Sequence, residues 1–214
     1  MALLEVVTDG HPALKKNCRK VKKMTDELRE LAQNMGETML ASNGIGLAAN
    51  QVASTYRIIT VYDEDEESNF RVYVNPRIVK MSDELEYSDE GCLSFPMILG
   101  EVARSEVVEV AAQDINMKKV RLRAEKLFAR VFQHEIDHLN GINFLERAEE
   151  GTIREIVPEE AVPEDEGAEA GHSGDTPAKE SGGTSVENED EDAVGLAAGP
   201  EESGPAAKTG PKDA

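Results

Sequence analysis

Cysteine, histidine, positive charge and long apolar runs are all scarce in this 214-residue chain. Two cysteines, Cys18 and Cys92, make no disulfide framework, which fits a reducing compartment. No apolar stretch approaches the ~20 residues of a membrane span. The first residues, Met1 to Asp9, lack a basic n-region and are broken by Glu5 and Asp9, so they do not read as a secretory signal. These absences predict a cytoplasmic chain with no membrane partner. Lys and Arg number 23 against 43 Asp and Glu, a net charge of −20. That balance argues against passive binding to phosphate backbones, so no specific nucleic-acid partner is expected. The basic cluster Lys15 to Lys23 stands apart from this trend, and a solvated loop face is its simpler account.

The charge is unevenly spread. Residues 158–214 hold 16 acidic and 3 basic residues, a net −13, which leaves −7 for residues 1–157. That final segment has no aromatic residue and is mostly Glu, Asp, Gly, Ala, Pro and Ser. Such a composition buries too little apolar surface to offset chain entropy, so an acidic, disordered tail is expected over 158–214. Residues 1–157 are long enough for one core and are expected to form one catalytic domain.

The most informative stretch is Gln133-His134-Glu135-Ile136-Asp137-His138-Leu139-Asn140-Gly141. Histidines four apart on a helix share one face, so both imidazoles can reach one metal ion. Glu135 stands beside the first of them, where a carboxylate can take a proton from an activated water. Ala124 to Phe132 is rich in helix formers, and Asn140-Gly141 supplies the stop. Leu127, Val131, His134 and His138 form one stripe. Phe128, Phe132, Ile136 and Leu139 form a neighbouring apolar one, so the helix is expected to be buried nearly all round. Two core histidines bonded to carbonyls are the plain alternative, and the motif proposes a metal without choosing a reaction.

Elsewhere, Thr25 can cap a helix over about 26–41, with Leu28, Leu31, Ala32, Met35 and Met39 at helical spacing. Asn43-Gly44 breaks it, and the small residues of Gly44-Ile45-Gly46-Leu47-Ala48-Ala49-Asn50-Gln51 suit close backbone approach. Strands are predicted at 57–63, 71–75 and, as an edge, 78–81. Further strands are predicted at 107–112 and 120–122, and at most a brief helix at 152–156. This succession predicts an α+β fold: antiparallel strands packed around a central metal-binding helix, with a second helix near the N-terminus.

A catalytic metal site of this kind needs three protein ligands and an open position. Zinc endopeptidases with an extended motif place a third histidine where this chain has Phe144; His11 and His172 lie far from the motif in sequence. Cys92 is the remaining good candidate, since a thiolate is a strong metal ligand. Three motifs in order, Gly44 to Gln51, Glu90-Gly91-Cys92-Leu93-Ser94 and Gln133 to Leu139, closely resemble peptide deformylase, with the spacing of the shorter bacterial type. The likeness runs from about His11 to Arg147.

The resemblance implies a hydrolase that removes the formyl group from the N-formyl-methionine of nascent polypeptides, in transient association with the ribosome. It implies Cys92, His134 and His138 as metal ligands, for Fe(2+) characteristically, with Zn(2+), Ni(2+) or Co(2+) able to substitute. Glu135 matches the general acid and base; Gln51 and the backbone N–H of Leu93 match the groups that steady the developing oxyanion. Ile45, Gly46, Gly91, Leu127 and Val131 are expected to line the substrate site, and Asp137 to orient a ligand histidine. Family members often carry a basic residue just after the second motif; here Phe95-Pro96-Met97-Ile98-Leu99 is apolar and Arg104 comes later. An HExxH zinc endopeptidase and a metal-binding scaffold protein are the alternatives. Intact Glu135 and Gln51 weigh against the scaffold.

Overall fold

The computed structural model describes residues 2–156; the expected boundary after Val157 and the acidic tail lie outside the described residues. Thr25 starts the first helix, α1 (Asp26–Ala41), its hydroxyl accepting from the Leu28 N–H at 3.3 Å. Asp26 and Glu27 sit at the positive end of the helix dipole. Leu28, Ala32, Met35 and Met39 are all buried, so the methionines are core residues.

In chain order the strands are β1 (Gly46–Ala48), β2 (Ile58–Tyr62), β3 (Phe70–Met81), β4 (Leu85–Cys92), β5 (Phe95–Ser105), β6 (Val107–Gln113) and β7 (Lys119–Glu125). Helix α2 (Lys126–Leu139) follows, and β8 (Arg154–Glu155) closes the described chain. One sheet has the order β1-β2-β3-β6-β7 and the other β4-β5-β8, with every pairing antiparallel. The expected α+β class therefore holds.

Alternation on β2 explains the layering. Ile58 packs with Met35 and Met39 under α1, whereas Ile59 and Val61 pack with Phe132, Ile136 and Leu139 of α2. A strand covered on both faces reads as a continuous apolar run, as Ile58-Ile59-Thr60-Val61 does. Helix α2 thus lies across one face of the larger sheet, and it also touches β5 of the smaller one. It stops at Asn140-Gly141 as expected. Gly141 is left-handed at φ +75°, and a β-carbon there would lie 2.6 Å from the Lys15 carbonyl oxygen.

Three local expectations are corrected. The strands expected at 71–75 and 78–81 are one strand, β3, which passes Pro76 through register shifts and a left-handed Asn75 (φ 53°). Residues 154–155 form a strand instead of a brief helix. The first turn of α2 is not buried: Leu127 is 55% and Phe128 44% exposed, beside the mouth of a cleft. Among the described residues no helix is long and apolar enough to cross a membrane.

Candidate metal centre and active site

Three separate stretches converge on one point. Helix α2 presents His134 and His138 on one face, their rings 4.9 Å apart. The β4–β5 turn brings Cys92 against them, its Sγ 3.2 Å from His138 Nε2. The three ligand atoms lie within 4.8 Å of one another. Atoms sharing one ion lie roughly 3–4 Å apart when bond lengths are about 2.0–2.3 Å, so this thiolate and two imidazoles fit a metal. Gln51 joins from the short turn after β1. The Ala48 N–H donates to Gln51 Oε1 at 2.9 Å, which leaves Gln51 Nε2 donating to Cys92 Sγ (3.3 Å) and Ser94 Oγ (3.2 Å).

Glu135 is buried, and its Oε2 has no hydrogen-bond partner among the described residues. Burial pushes its carboxyl up to about 7, against the opposing pull of His134. A carboxyl held near neutrality can both accept and return a proton. Gly46 is required here, since a β-carbon would sit 2.5 Å from Glu135 Oε1.

Glu90 holds the second layer of the site. It is 5% exposed and receives Arg104 Nε (2.9 Å) and Nη2 (3.1 Å), Arg130 Nη1 (2.9 Å) and His134 Nδ1 (2.9 Å). Burial would raise its carboxyl, but the bonds from His134 and Arg104 outweigh it and hold the value at about 2. With Nδ1 engaged, His134 directs Nε2 at the donor cluster. Burial would lower His134 also, yet Cys92 and Glu90 keep it well above the usual imidazole range. Burial, then the neighbouring His134, takes His138 well below that range.

Asp137 does not orient a ligand histidine as expected. It receives Arg104 Nη1 at 2.5 Å and Arg147 Nη2 at 3.0 Å. Glu90 does that work for His134, a role that its place in the second motif does not by itself reveal. Arg104 and Arg130 were missed as well. Their signal is a charge inside segments that otherwise read as buried, where ionised groups are seldom left unpaired.

A cleft of about 460 Å³ opens on the donors, and every residue expected to line the substrate site borders it: Ile45, Gly46, Gly91, Leu127 and Val131. Leu93, Gln51, Cys92, His134 and Glu135 also face it; His138 lies behind, fully buried. Phe144, at the position of the endopeptidase's third histidine, is instead a core residue stacked 6.1 Å from the His134 ring.

Comparison with known proteins agrees with this geometry. The family model described as polypeptide deformylase matches residues 3–153. A peptide deformylase of Dictyoglomus thermophilum is 46% identical over 151 residues, which is 70% of this chain and 95% of that one. The solved structure of peptide deformylase from Thermotoga maritima is similar at 35% identity and a TM-score of 0.66, covering 70% of this chain and 99% of that one. A Met-Ala-Ser-bound class I type b enzyme from Acinetobacter baumannii is similar at 36% identity and 0.64, covering 68% and 98%.

Proposed function

The chain belongs to the polypeptide deformylase family, and from that premise we propose how its residues divide the work. The reaction is hydrolysis of the formyl group from N-formyl-methionine of nascent polypeptides, by a metal-dependent enzyme of this family. Cys92, His134 and His138 hold the metal, and Glu90 fixes the tautomer of His134. When bound, the metal polarises the formyl carbonyl and lowers the pKa of water towards neutrality.

Glu135 takes the proton of the attacking water as the new C–O bond forms at the formyl carbon. It returns that proton to the nitrogen as the C–N bond breaks, so formate and a free amine leave. Gln51 Nε2, turned towards Cys92 because its Oε1 is pinned by Ala48, donates with the Leu93 N–H to the formyl oxygen as charge builds there. Ile45, Gly46, Gly91, Leu127 and Val131 bind the methionyl end, whose flexible thioether suits apolar walls.

The observation that carries this assignment is the meeting of Cys92, His134 and His138 beside a buried Glu135 with an unpartnered oxygen. The metal is ferrous iron, with zinc, nickel or cobalt able to take its place. Residues 1–157 form the catalytic part, and 158–214 are an acidic tail outside the chemistry. The enzyme works in the cytoplasm, where it associates transiently with the ribosome that presents its substrate.

Anaerobically purified protein should release formate from a formyl-methionyl peptide, with metal analysis returning iron. Iron-loaded enzyme should decay in air while nickel-loaded enzyme persists, because iron and its thiolate ligand are open to oxidation. Fully loaded protein that releases no formate would overturn the function; equal lifetimes for both metals would overturn the iron assignment.

A further inference from the structure

The family match ends at Ile153, yet Ile156, three residues further on, lines the catalytic cleft. Arg154 and Glu155 pair with Leu99 and Ile98 along the edge of β5 that β4 leaves open. Arg154 then reaches across to Asp89, donating through Nη1 to Oδ1 (2.9 Å) and Nη2 to Oδ2 (2.5 Å). Ile156 N–H donates to the Met97 carbonyl at 2.7 Å. Met97 needs that support, since it is a left-handed non-glycine residue at φ 62°.

These contacts set the Ile156 side chain on the rim, 42% exposed, with Met97 (42%) and Leu127 (55%) on the same cleft. Three large apolar side chains left open to water around a binding cleft mark a place for apolar contact. Several of the charged groups around the cleft are already engaged. Arg130 is held by Glu90 and by the carbonyls of Val102 and Glu86, Asp89 by Arg154, and Arg104 by Glu90 and Asp137. Phe95 to Leu99, which follow the second motif, carry no charge, and Arg104 is buried.

We propose that Ile156 and Met97, beside the Leu127 already given to the methionyl end, form a subsite for the side chains that directly follow the formyl-methionine, and that it favours apolar ones. This rests on the deformylase function. Ile156 is a specificity determinant, brought to the cleft by a strand outside the family match.

The test compares kcat/KM for formyl-Met-Leu-Leu and formyl-Met-Gly-Gly amides on one metal-loaded preparation, so that the ratio does not depend on the loaded fraction. The wild-type protein should prefer the leucine peptide. Ile156→Ala should lower the leucine-to-glycine ratio about five-fold through KM, the effect of losing contact with a few tens of Å² of apolar surface. Ile156→Met should restore it. An unchanged ratio, or an equal loss on both peptides confined to kcat, would overturn the subsite and leave only backbone support of Met97. Formate release from both peptides without any leucine preference would overturn the subsite while sparing the function. Release from neither would overturn both.

Discussion

Replacing Glu135 by Gln exchanges one carboxylate oxygen for an amide and leaves the shape of the side chain almost unchanged. Metal content and fold should survive, because Cys92, His134 and His138 are untouched. Turnover should fall about 10²–10⁴-fold, in kcat more than in KM, since only the proton acceptor and donor is lost. Gly46→Ala tests the same oxygen from the other side: its β-carbon would meet Glu135 Oε1 at 2.5 Å and Cγ and Cδ at 2.9 Å. Glu135 is buried and must shift, so kcat should drop while the circular dichroism spectrum stays native. Glu90 answers to a different physics. Its removal leaves Arg130 without its nearest carboxylate and Arg104 with only Asp137, all within the protein interior. Glu90→Ala should therefore cost about 3–5 kcal/mol in a denaturant melt, as breaking buried ion pairs does, and metal should bind more weakly. Of these residues, His134, Glu135 and His138 were legible in the sequence because the HExxH spacing encodes them, and Cys92 because no third histidine stands where one is needed. Glu90 was not, because nothing in a one-dimensional string shows which histidine nitrogen a distant carboxylate will reach.

Elements divide along the same line. Helix α1 was legible because Thr25 caps it and its apolar residues repeat at helical spacing, two local signals that agree. Strand β2 was legible as an apolar run. The hairpin β4–β5 was not, for Leu85 to Asp89 are exposed or half-buried and show no alternation, while Pro96 and Gly100 interrupt β5. Its pairing is set by backbone hydrogen bonds and by the burial of Glu90, neither of which leaves a pattern in the sequence. Strand β8 is two residues long and exists only because β5 offers an edge. Gly36, an unfavourable residue in a helix interior, has a tertiary reason. A β-carbon there would lie 2.2–2.4 Å from three atoms of the Phe70 ring. Gly36→Ala gains up to about 1 kcal/mol of helix propensity but overpacks a core ring, a change that typically costs about 1–3 kcal/mol. Packing should win, giving a lower urea midpoint with unchanged slope; a higher midpoint would show that Phe70 moves aside freely.

Across the whole molecule, the net −20 is two quantities: −7 over residues 1–157 and −13 over 158–214. Every group assigned to the chemistry lies between Ile45 and His138, and the family match ends at Ile153. Two truncations therefore separate the contributions of the C-terminal part. Ending the chain after Val157 removes the acidic segment but keeps Arg154 on Asp89 and the Ile156 N–H on the Met97 carbonyl. Turnover of a short formylated peptide should stay within a few-fold of the full chain, because the composition of that segment, mostly Glu, Asp, Gly, Ala, Pro and Ser, suits neither a core nor an apolar substrate wall. Ending it after Ile153 also deletes β8 and Ile156, freeing the β5 edge, the Met97 carbonyl and Asp89 together. That shorter chain should melt lower and show the raised KM for leucine-bearing peptides expected of Ile156→Ala, while its metal content stays full. If the first cut already abolishes turnover with fold and metal intact, the acidic segment acts at the active site and its separation from the chemistry is wrong. If the second cut behaves like the first, β8 is an ornament on the edge of β5, and the cleft ends where the family match does.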